Sequence, residues 1–144
     1  MRTARKEAPA VPAAVPMLRQ YSMNETLKHL EQDTDGMMVY DYLVNHAEDT
    51  PDMEALINLL AAKDSTGQFL ASSARFLHAV NAERFHSHIG KLVMHAIDKD
   101  RERRYIGSLL EALWGADYAE RAYELSLEDD NFRRIYKRIF NTGF

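Results

Sequence analysis

Three of the six histidines fall in the stretch 81–98, NAERFHSHIGKLVMHAID. Glu83-Arg84-Phe85-His86 has the E-x-x-H spacing that di-iron bundles use in pairs, so the first chemistry to test is metal ligation. On a helix, His86 and His88 point about 160° apart. His88 and His95 share a flank but lie about 10 Å apart along the axis, too far for one ordinary ion. No second E-x-x-H exists in the chain; His78, Glu111 and scattered acids are the other donors at hand. The expected role of these histidines is to border a core, with no metal and no cofactor bound.

Other reactive arrangements are equally thin. There is no cysteine, hence no disulfide, thiolate metal site or cysteine nucleophile. Ser72 and Ser73 lie inside an expected helix without a G-x-S-x-G turn, and read as small packing residues. Lys63 and Gly67 do not form a phosphate loop, which needs a preceding strand and a G-K-[ST] ending. No catalytic residue is assigned, and an enzyme is not the expected class.

Whatever the chain does, helices must position it. From Phe85, the residues Ile89, Leu92, Val93, Ala96 and Ile97 recur at helical spacing, giving a central helix from Asn81, its expected cap, to about Asp98. Gly90 lies off that stripe; it either costs helix propensity or permits a close crossing. Before it, Ser22 and Glu25 form a capping box for a short helix ending near Gln32. Asp33-Thr-Asp-Gly36 is a turn, and a second helix runs from about Met37 to Glu48. Its expected core face includes Met37, with Met38 on the other side. Thr50 as cap and Pro51 at the first position open a third helix. A fourth covers about Gln68 to Val80. The charged run from Lys99 to Arg104 is expected to begin a sixth, with Asp98 or Asp100 as its cap. This helix carries Leu109, Leu110, Leu113 and a mostly buried Trp114, and it ends at Gly115.

Two further helices separate their charges. The seventh, about Asp117 to Glu128, places Asp117, Glu120, Glu124 and Glu128 within about 80° of one another. The eighth, about Asp130 to Asn141, sets Phe132, Ile135, Tyr136, Ile139 and Phe140 against a basic face of Arg133, Arg134, Lys137 and Arg138. Arg101, Arg103 and Arg104 would add to that face if the fold brought them close. These eight charged residues are the candidate interaction faces.

The chain of 144 residues is 46% apolar with a formal net charge of −4, enough for a real core and no polycation overall. Residues 1–20 read as a Pro/Ala-rich arm and 21–144 as a single all-helical domain. No stretch is apolar enough to span a bilayer and no signal-peptide core is intact, so a soluble cytoplasmic protein is expected. The fold expected is a compact all-α bundle of seven or eight short helices. Helix pairs at 53–80, 82–114 and 117–140 give a cadence that resembles HEAT-like stacks of α-hairpins, the alternative arrangement. It carries no diagnostic motif, so no functional residue is transferred from it. The expected role is a non-enzymatic protein–protein interaction module or small accessory subunit, binding an unknown partner or a second copy. The alternative is a nucleic-acid-associated accessory protein acting through the basic helix face.

Overall fold

The computed structural model describes residues 23–49 and 51–141. The Pro/Ala arm, the Ser22 cap and Thr50 lie outside the described residues. All regular structure among the described residues is helical. The backbone divides into two units, 1–32 and 33–144. In the first, α1 covers 23–30. The second contains α2 (Met37–His46), a 3₁₀ turn (Ala47–Asp49), α3 (Met53–Lys63), α4 (Gln68–Asn81), α5 (His86–Lys99), α6 (Ser108–Trp114), α7 (Ala122–Glu128) and α8 (Asp130–Phe140). None of the described helices is long and apolar enough to cross a membrane.

The second unit is an ordered bundle. Helices α2, α4 and α6 pack in succession, and α3, α5 and α8 form a parallel succession beside them. The most extensive contact is α4 on α5, whereas α3 touches α4 only marginally. The hairpins are therefore α2–α3, α4–α5 and α6 with α7–α8. The first two hairpins are one helix out of step with the pairs expected at 53–80 and 82–114, whereas the pair expected at 117–140 is present as α7–α8. Connector length misleads here: the link at 64–67 is short because it passes from one hairpin to the next. Leu56, Ile57, Leu60, Leu70, Leu77, Leu92, Ile97 and Leu109 fill the space between the rows and are fully buried, as their helical spacing demands.

Several boundaries move. Asn81 ends α4, and residues 82–85 turn the chain before α5 begins at His86. The Asn81 side chain accepts a hydrogen bond from the Arg84 N–H at 3.0 Å, so its capping chemistry serves the turn. Asp52, not Thr50, caps α3, accepting from the Ala55 N–H at 3.1 Å. The run Lys99–Arg104 does not begin α6, which starts only at Ser108. Met37 is 59% exposed while Met38 is partly covered, reversing their expected sides. Trp114 is half-buried, its Nε1 donating to Asp129 Oδ2 at 3.2 Å. Gly90 permits no close crossing: a Cβ there would meet nothing within 4 Å.

The linkers between hairpins share one construction that the sequence reading missed. Asp33, Asp64 and Asp100 are buried polar residues at hairpin entrances. Asp33 accepts from the N–H groups of Asp35, Gly36 and Val39 at 3.2, 3.0 and 2.9 Å. Asp64 accepts from those of Thr66, Gly67, Phe69 and Leu70 at 3.1, 2.9, 2.9 and 2.9 Å. Asp100 accepts from those of Arg104, Tyr105 and Ile106 at 2.9, 2.7 and 2.8 Å. In each case the bond to the sixth residue onward holds a fully buried aliphatic side chain in place: Val39, Leu70 or Ile106. The third residue onward is left-handed in every copy, at Gly36 (φ 101°), Gly67 (φ 90°) and Arg103 (φ 60°). Such a carboxylate satisfies backbone donors that a buried loop would otherwise leave orphaned. Burial acts to raise the Asp33 pKa, but the N–H groups of Val39, Gly36 and Asp35 outweigh it and hold the carboxyl below its ordinary value.

The loops also stack. A Cβ on Gly36 would lie 3.1 Å from the Asp64 Cβ, and one on Gly67 would lie 3.0 Å from the Asp100 Cβ. Glycine is needed at both positions for the backbone angle and for the approach of the next loop. Among the described residues no further copy follows the third loop, and the equivalent position is the exposed Arg103.

Candidate interaction surfaces

The four cations expected on α8 do share a face. Together with Arg103 and Asn141 they line an open concavity of about 400 Å³. Arg103 arrives from the third linker and donates to the Arg138 carbonyl oxygen at 3.2 Å. Arg138 donates to the Ile97 carbonyl at 2.7 Å, near the C-terminal end of α5, where the helix dipole favours a cation. Arg134 meets Asp98 at 3.1 Å and Arg133 meets Asp130 at 2.6 Å. Arg101 and Arg104, the other basic residues of the linker, instead line a separate depression with Thr66, Asp100 and Tyr105.

The acidic quartet is not one helical stripe. Asp117 and Glu120 lie in the turns before α7, and only Glu124 and Glu128 are within the helix. Arg121 sits among them, 3.5 Å from Asp117 and 3.9 Å from Glu124, and partly neutralises the group. Exposed pairs of this kind add little stability. What α7 presents besides charge is apolar: Tyr123 and Leu127, one turn apart, are 67% and 72% exposed.

A third feature is a cavity of about 470 Å³ where α4 and α5 meet the last hairpin, bordered by His78, His86, Gly90, Trp114, Glu128 and Asp129. It brings His78 and His86 to one rim, but Glu83 is not among its lining residues. Asp129, Asn131 and Trp114 in its lining serve the fold. Asp129 caps α8, accepting from the N–H groups of Asn131 and Phe132, and holds Trp114. Asn131 Nδ2 donates to the Gly90 carbonyl at 3.1 Å. No three His, Asp or Glu side chains converge as a metal site among the described residues.

Sequence reading reached the basic face of α8 through its helical spacing. It left open whether Arg103 joins it, because that depends on a contact across 35 residues of chain. The exposed pair on α7 went unnoticed. Its signal is present in the sequence as an i, i+4 apolar pair flanked by glutamates. Compared with known proteins, the chain matches no family model, no curated protein and no solved structure.

Proposed function

We propose that the chain is a non-enzymatic protein–protein interaction module or small accessory subunit, and that α7 is its docking ridge. The observation that carries this reading is the outward position of Tyr123 and Leu127 on a charged helix. An exposed tyrosine is a side chain of the kind that anchors interfaces, and the leucine one turn on adds apolar contact area beside it. Glu120, Glu124 and Glu128 around them favour a partner protein whose apolar groove has a basic rim. A cytoplasmic setting goes with the proposal, since the chain has no cysteine and relies on no disulfide.

The test is the native mass of the protein in extract of its source cell. The wild type should elute in an assembly larger than its own 16.6 kDa. Tyr123→Ser with Leu127→Ser should return it to the monomer position without changing its helical circular dichroism. A wild type that already elutes as a monomer, or an assembly indifferent to the double substitution, removes α7 as the docking ridge. An assembly of this chain alone would replace the foreign partner with a second copy.

A further inference from the structure

The geometry points to the concavity of Arg103, Arg133, Arg134, Lys137 and Arg138 as a site for single-stranded nucleic acid, with phosphates on the cations and a base stacked on Phe140. The site lies on α8 and the third linker, apart from Tyr123 and Leu127, so it stands or falls independently of the α7 reading.

Charge is the first argument. Two of the five cations have carboxylate partners, Arg133 with Asp130 and Arg134 with Asp98. Arg103 and Arg138 spend donors on carbonyl oxygens, which carry no formal charge. Lys137 is exposed on the same face. The concavity therefore keeps net positive charge in a protein whose overall charge is −4. The guanidinium groups of Arg103, Arg133, Arg134 and Arg138 are each anchored by at least one hydrogen bond, which lowers the entropic cost of presenting their other donors. The planar fork of arginine suits phosphate oxygens.

Shape and the neighbouring ring decide among anions. The concavity is open to solvent, which suits an extended strand crossing it better than an enclosed small anion. Phe140 is 47% exposed and lies on α8 next to the angular position of Arg133. Its ring is supported from within by Tyr136, centroid to centroid 4.7 Å, which in turn stacks on the buried Phe132 at 5.4 Å. A braced, exposed ring beside a row of cations is the pairing by which single strands are held without sequence preference. An acidic peptide would use the cations but has no need of the ring. A duplex would offer phosphates but keeps its bases stacked on one another.

The experiment is fluorescence anisotropy of short labelled RNA and DNA single strands against the full chain, from about 50 to 200 mM salt. A matched duplex and polyglutamate serve as competing ligands. With about three cations engaged, log affinity should fall against log salt with a slope of roughly −2. Lys137→Glu with Arg133→Glu should abolish binding while leaving the thermal melt close to wild type. Lys137→Ala, at an exposed position, should weaken binding and flatten the slope. Phe140→Ala should weaken single-strand binding at least about fivefold and leave the salt slope unchanged. The site is overturned by binding without salt dependence, by binding indifferent to the charge reversals, or by polyglutamate competing as well as RNA. A duplex bound as tightly as single strands, with Phe140→Ala silent, overturns the single-strand assignment.

Discussion

The linkers at Asp64 and Asp100 are built alike: a buried carboxylate at the entrance, a left-handed residue three positions on, and an aliphatic side chain pinned six positions on. They differ in what lies against them. The Asp64 linker is covered, because Gly67 approaches the Asp100 loop so closely that a Cβ would stand 3.0 Å from the Asp100 Cβ. The Asp100 linker has no successor among the described residues, and its left-handed position holds an exposed arginine whose side chain reaches α8. The same backbone device thus serves packing where another loop covers it and presents charge where none does. A non-glycine in the left-handed region costs roughly 1 kcal/mol, and at Arg103 that cost places a guanidinium at the concavity.

The sharpest way to break this comparison is Asp64→Ala. It leaves four backbone N–H groups without their acceptor, those of Thr66, Gly67, Phe69 and Leu70, and should cost about 3 kcal/mol in urea denaturation. A loss below about 1 kcal/mol would mean that the carboxylate does not organise the linker. Next in size is Gly67→Ala, expected to cost about 2 kcal/mol because it adds backbone strain to a collision with the next loop. Arg103→Gly should leave stability within about 1 kcal/mol, since relief of backbone strain offsets the lost bond to the Arg138 carbonyl. It should still reduce nucleic-acid affinity. Equal stability losses at positions 67 and 103 would erase the distinction between a covered linker and an open one.

Acid titration sharpens the account of the first linker. The Asp33 carboxyl is held below its ordinary value in the folded chain. Its contribution is therefore complete above the unfolded aspartate value of about 3.9 and is lost as pH falls through the lower folded value. Asp33→Asn should be less stable than wild type at neutral pH, and the gap should narrow below about pH 4 in thermal melts. A gap that stays constant through that range would show that Asp33 acts by shape and not by charge. The smallest effect expected is a gain. Gly90→Ala should stabilise the protein by about 0.5–1 kcal/mol, because α5 gains propensity and the new methyl meets open space.

The all-helical fold was legible because it depends on periodicity within each segment. The α5 stripe of Ile89, Leu92, Val93, Ala96 and Ile97 is buried as its spacing requires. The hairpin frame was less legible. The signal was an aspartate followed at the third, sixth and tenth positions by a left-handed residue and two aliphatic or small residues: Asp33-Gly36-Val39-Leu43, Asp64-Gly67-Leu70-Ala74 and Asp100-Arg103-Ile106-Leu110. Reading repeats from helix to helix hid it, and so did the arginine in the third copy. Leu113 was expected in the core and keeps intermediate exposure, because helical spacing gives the side a residue faces but not how far the neighbouring element extends over it.

By itself the sequence determined the amphipathic stripe of α5, the presence of a turn at Asp33–Gly36 and the cationic row from Arg133 to Arg138. Each of these rests on side chains and backbone groups within about two helical turns, whose geometry is set locally. Tertiary structure alone decided which hairpins stack, that Gly67 must admit the Asp100 loop, and that Arg103 and Arg138 meet across 35 residues of chain. Those outcomes depend on how buried surfaces fit one another, which no spacing within a single segment encodes.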